Sequence, residues 1–159
     1  MKLSDFGVFV ISAAVYAAGS LGLPRISLFA YQIKIGEIPS ALVAILGVPA
    51  VFGLTLGQFI ANLGVEASPI MMISPMISFV GLLVIYYARK KSTLAGCIAY
   101  VVITSLWLTY LLPLVDGTTT MVAGYSAFAG QSIAVTIGYL AYLFAARTTI
   151  AKPESTGLN

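Results

Sequence analysis

The chain has no histidine and a single cysteine, Cys97, which lies in an apolar stretch. One cysteine cannot form a disulfide within the chain, and without histidine there is no Cys/His metal centre. A histidine-activated serine or cysteine nucleophile is excluded for the same reason. There is no glycine-rich phosphate loop ending in Lys-Ser or Lys-Thr, so the chain is not expected to hydrolyse ATP itself. No enzyme activity and no cofactor is implied. Charge is scarce as well: eight Lys and Arg and five Asp and Glu make up 8% of 159 residues. A soluble domain carries roughly 25%. With 60% hydrophobic residues and a mean hydropathy of +1.03, the chain is built for lipid. The net charge of +3 does not suggest nucleic acid, because the positive residues are few and gather at span ends.

A helix needs about 20 apolar residues to cross the hydrocarbon core. The first such run is 6–23, ended by Pro24 and Arg25. Residues 38–63 form either one tilted helix or two short ones, with a plausible turn at Gly47 and Pro49. Further runs cover 70–88, closed by Arg89, Lys90 and Lys91; 94–115; and 120–146, closed by Arg147. Positive residues favour cytoplasmic loop ends. Six spans put Lys2, the Arg89 cluster and Arg147 with Lys152 on one side, whereas five would split them. The expectation is an all-α membrane protein, a six-transmembrane-helix bundle with both termini cytoplasmic. Residues 1–147 form its one domain and 148–159 a polar tail. Arg25 and Lys34 then fall outside, against the charge rule. A competing reading takes residues 1–20 as a secretory signal. Asp5 is unusual there and the run is long for a signal, but charge alone leaves the point open.

Small residues recur at four-residue steps: Ala14, Ala18 and Gly22, flanked by Ala13 and Ala17; Gly53, Gly57 and Ala61; Gly130, Ala134 and Gly138. Such stripes let helix backbones approach, most often inside one bundle. The first is wide enough to serve as a docking face for a second protein. Glu37, Glu66 and Asp116 fall near the outer ends of spans, and Asn62 and Gln131 put amides inside apolar runs. Trp107, Tyr110 and Tyr125 add aromatic planes at a similar level. Each has an ordinary explanation as a solvated helix end, a dipole-favoured first turn or an interfacial anchor. Together they suit a pocket for a flat, hydrogen-bonding small molecule.

The stretch "IKIGEIPSALVAILGVPAVFGLTLGQFIANLG" resembles the substrate-binding S components of energy-coupling factor vitamin transporters, above all the queuosine-precursor transporter (QueT) family. That branch reads Phe-Arg-Ile-Ser-Glu-Ala where Ile33, Lys34, Ile35, Gly36, Glu37 and Ile38 stand. Its Gly-Leu-x-Leu-Gly-x-x-Ile-Ala-Asn-Leu is matched by Gly53, Leu54, Leu56, Gly57, Ile60, Ala61, Asn62 and Leu63. The likeness covers roughly 8–147. It implies six helices, an outward-facing pocket capped by the first loop, and a high-affinity substrate-binding subunit in a prokaryotic cell membrane. The implied ligand is a queuosine precursor or a related deazapurine or vitamin. The implied partners are a transmembrane coupling subunit, docked through Ala13, Ala14, Ala17 and Ala18, and two ATPase subunits. The candidate ligand residues are Lys34, Glu37, Asn62, Glu66, Trp107, Asp116, Tyr125 and Gln131. Glu37 would sit at the pocket lip and accept hydrogen bonds from an amidine-like edge, with Lys34 orienting it. Two departures touch the exact ligand. Lys34 stands for an arginine and loses its fork geometry, and Gly130-Gln131 stands where the branch often has Gly-Glu. The alternatives are a self-sufficient, oligomeric small carrier or channel, and a structural membrane scaffold.

Overall fold

The apolar region 38–63 breaks where its Gly–Pro pair predicts. Gly47 adopts φ 79°, a conformation natural to glycine, and Pro49 occupies the first turn of the helix that follows. The computed structural model describes residues 3–22, 34–65 and 68–150, and for residues 3, 116, 149 and 150 the backbone alone. Within these residues every regular element is helical. Helix α1 spans Leu3–Gly22. A 3₁₀ segment, Ile35–Leu42, runs directly into the single turn α2, Val43–Leu46. After the break come α3, Val48–Gly64, and a 3₁₀ turn, Pro69–Ile73, that leads into α4, Ser74–Ala88. The last two helices are α5, Thr93–Asp116, and α6, Thr120–Ile150.

Four of these stretches are long and apolar enough to cross a membrane: Ser4–Gly22, Pro69–Ala88, Thr93–Val115 and Thr120–Thr148. Ile35–Leu46 and Val48–Gly64 are shorter. Six runs therefore appear as helices, and four of them have spanning length. The irregularity of Ile35–Leu46 has its cause at Pro39. It removes a backbone donor and sits inside an eight-residue 3₁₀ segment, a length rare for that helix type.

The small-residue stripes of α3 and α6 pack inside the bundle. Gly53 lies against the Phe9 carbonyl, and a Cβ on Gly57 would come within 2.7 Å of Tyr16 Cβ, so α3 runs parallel to α1 at close range. Gly138 lies directly against the Ile38 carbonyl, which seats the 3₁₀ segment on α6. Trp107 of α5 donates to Ser74 at the start of α4, and Gly81 faces the Tyr100 ring, so α4 and α5 are antiparallel. Thr93 of α5 donates to Tyr142 of α6 at 3.1 Å, and Gly124 faces Thr109, so α5 and α6 are antiparallel too. The core these contacts enclose includes Val51, Leu54, Leu82, Ile85 and Tyr100.

This register sorts the charges. Arg89 donates to the Ala44 carbonyl at 3.2 Å and lies 4.0 Å over the Tyr86 ring, which holds the α2–α3 break beside the α4–α5 turn. The start of α1 and the end of α6, with Arg147, lie at the same end. The bundle thus has a basic end and an opposite end where α3, α5 and α1 terminate.

Candidate functional site

Glu37 is 1% exposed, and its carboxylate is the meeting point of three elements. Tyr16 of α1 donates to Oε1 at 2.9 Å. Tyr100 of α5 donates to Oε2. The Ser40 hydroxyl, one 3₁₀ turn along, lies 3.1 Å from Oε2 and 2.6 Å from the Glu37 carbonyl. Lys34 is buried within electrostatic reach of Glu37, and its carbonyl accepts the Glu37 N–H at 2.8 Å. A carboxylate offers about four acceptor sites. The tyrosine hydroxyls occupy two, and the single Ser40 hydrogen lies between Oε2 and the Glu37 carbonyl.

The level of this group is set against two different helices. Glu37 opens a helical segment, which suggested a place at the outer lip. Its partner Tyr100, however, lies only seven residues beyond Thr93, about 10 Å along α5 from the basic end. On α1, by contrast, Gly36 lies against Ser20 and Tyr16, in the last two turns before Gly22, so the first turn of the segment is buried beside the outer end of α1. An ionisable group at that depth is costly unless satisfied, and here hydroxyls satisfy it.

Further from the basic end the interior stays polar. The Ser105 hydroxyl, the Gln58 Oε1 and both amide atoms of Gln131 are buried with no hydrogen-bond partner in the chain. Gln131 is 0% exposed. Asn62, one turn beyond Gln58 on the same face of α3, donates to the Met71 carbonyl at 3.0 Å. The Trp107 indole N–H is taken by Ser74 at 2.9 Å. The structure therefore brings Lys34, Glu37, Asn62, Trp107 and Gln131 onto interior faces. Tyr125 differs: it is 72% exposed and lines an outer groove with Thr109, Met121 and Phe128. Glu66 lies outside the described residues, as does the Asp116 side chain.

The sequence reading did not single out Gln58, Tyr16, Ser40, Ser74, Tyr100 or Ser105. Gln58 was legible, since it precedes Asn62 by one turn inside an apolar run. Tyr16, Tyr100 and Ser105 carry no such signal, because hydroxyls are common in membrane helices and only the fold shows which face the core.

The alanine stripe of α1 divides. Ala13 is buried against Gly57, Ala17 is half-buried, and Ala14 and Ala18 are exposed.

A family model described as the QueT transporter matches residues 8–147. The chain belongs to the QueT transporter family. This is a family of membrane transporters, not of enzymes. The matched range reaches every helix described and takes in every interior polar residue named above. Comparison with curated proteins and with solved structures returns no match.

Proposed function

We propose that this QueT family member is the substrate-binding subunit of an energy-coupling factor importer and that its ligand is a queuosine precursor of the deazapurine class. Its bundle crosses the cell membrane six times, with the basic end and both termini on the cytoplasmic side. The observation that carries the ligand reading is the run of buried polar side chains from Glu37 to Asn62 inside an otherwise apolar bundle. Unpaired polar atoms at membrane depth are unfavourable by roughly 1–3 kcal/mol each, and a bound heterocycle with donors and acceptors would satisfy them. Glu37 retains acceptor capacity for a ligand N–H. Lys34 supplies the compensating charge, and Asn62 and Trp107 hold the far side of the site. Glu66, Asp116 and Tyr125 are assigned to the outer approach. The exposed Ala14 and Ala18, with the half-buried Ala17, are assigned to docking on a transmembrane coupling subunit driven by two ATPase subunits, while Ala13 packs on α3.

Two measurements on the purified chain test this. Titration with 7-deazaguanine is expected to show tight binding, while proteoliposomes containing the chain alone show no accumulation. Accumulation by the chain alone would make it a self-sufficient carrier. Neither binding nor accumulation would leave a scaffold.

A further inference from the structure

Gln131 and Ser105 stand on neighbouring antiparallel helices at the same level. The α5–α6 register is fixed at two points, Thr93 on Tyr142 and Gly124 against Thr109. Between them, this register sets Ser105 and Gln131 within one helical turn of each other. Both are buried, at 2% and 0% exposure. Ser105 Oγ, Gln131 Oε1 and Gln131 Nε2 have no hydrogen-bond partner in the chain. A serine within a helix commonly turns its hydroxyl back to the carbonyl one turn earlier. Thr104, next to Ser105, does this to Tyr100, and Thr109 does it to Ser105 itself. Ser105 does not. A fully buried side-chain amide with both ends unpaired is rarer still.

We propose that Gln131 and Ser105 form the specificity element for an uncharged lactam edge, an N–H adjacent to a C=O. The amide of Gln131 presents one acceptor and one donor side by side, and a lactam presents the complementary pair. Two parallel hydrogen bonds would satisfy Oε1 and Nε2 together. The Ser105 hydroxyl, free to rotate, adds a donor to the second lone pair of the same ligand carbonyl. Because the pair is neutral, it selects a ring in its keto form over a lactim ether or a 6-unsubstituted ring. This rests on the reading of the chain as a subunit that binds heterocycles. It assigns to a glutamine and a serine the discrimination that the sequence gives no reason to place on Ser105.

The test uses full-length chain in detergent and three variants, Gln131→Leu, Gln131→Glu and Ser105→Ala, with five probes. The probes are 7-deazaguanine, 7-deazahypoxanthine, 6-methoxy-7-deazapurine, 2-amino-7-deazapurine and uracil. Wild type is expected to bind the lactam-bearing 7-deazahypoxanthine at least tenfold more tightly than the methoxy and 2-amino probes. Gln131→Leu is expected to lose at least tenfold on every lactam probe. Gln131→Glu is expected to lose at least tenfold on 7-deazahypoxanthine, whose C=O finds no donor, with 7-deazaguanine rising in the ranking because its N1–H and 2-amino group both donate to a carboxylate. Ser105→Ala is expected to lose severalfold on lactam probes alone. Without ligand, Gln131→Leu is expected to melt at or above the wild-type temperature, because it removes two unpaired buried atoms. A residue with only a packing role would lower the melting temperature and leave probe ranking unchanged. Deazapurine binding with unaltered ranking in the Gln131 variants would overturn the lactam assignment and leave the substrate reading standing. Uracil binding that depends on Gln131, with no deazapurine binding, would do the reverse. Binding of no probe would overturn both.

Discussion

The Tyr100 hydroxyl of α5 donates to the Glu37 carboxylate, which also accepts from Tyr16 of α1. One buried carboxylate thereby joins the first helix, the 3₁₀ segment and the fifth helix. The hydrogen bonds are charge-assisted and lie where water does not compete, so they help fix where the 3₁₀ segment starts.

Removing one donor should therefore weaken the whole assembly. Tyr100→Phe deletes a hydrogen bond to a charged group and should cost about 1.5–3 kcal/mol. Tyr16→Phe should cost a similar amount, and the double variant should deviate from additivity, because both act on one carboxylate. Thermal melts in detergent measure this. Unchanged melting in both single variants would mean the contacts contribute nothing to stability.

Glu37→Gln should impair ligand binding more than folding. The amide keeps one acceptor oxygen, and the hydroxyls of Ser40 and Tyr100 can rotate to accept from its new N–H. The ligand's donor then meets a donor or loses a charge-assisted bond, a loss of about 1.5–3 kcal/mol, or roughly 10- to 150-fold in affinity. Titration of 7-deazaguanine into both proteins checks it. Affinity within about threefold of wild type would remove Glu37 from the ligand site.

The divided alanine stripe separates two kinds of damage. Gly57→Ala puts a Cβ against Tyr16 and the Ala13 carbonyl, so α1 and α3 must move apart and the isolated chain should melt lower. Ala14→Trp adds bulk on an exposed face and should leave melting and ligand binding near wild type. Uptake with the coupling and ATPase subunits present should collapse in Ala14→Trp. Retained uptake would show that α1 does not dock through this face.

Topology can be read by cysteine labelling in a Cys97→Ala background. Single cysteines at positions 90 and 155 should be shielded from an impermeant thiol reagent in intact cells, and one at position 117 should react. Labelling at 90 and not at 117 would invert the orientation; labelling at both would break the six-span arrangement.

Composition and the apolar runs already required a helical membrane protein. Sixty per cent hydrophobic residues with 8% charge leave no other solvent for the surface, and the Gly47–Pro49 pair, the Arg89 cluster and the proline-bounded runs mark the segment ends. The sequence also exposed the glycine stripes and the polar residues Glu37, Asn62 and Gln131, because each interrupts an apolar run. Burial and partners come from the packing of the helices instead. A residue's place at the start of its own segment does not give its burial when that segment is a short 3₁₀ run hung on α6 at Gly138, which is why Glu37 is enclosed by Tyr16 and Tyr100 and not solvated. The same holds for direction: Tyr125 and Gln131 share α6, yet one points outward and the other inward. Near-uniform hydrophobicity around a membrane helix leaves no amphipathic face to read, so which hydroxyls and amides meet is settled by close contacts between helices.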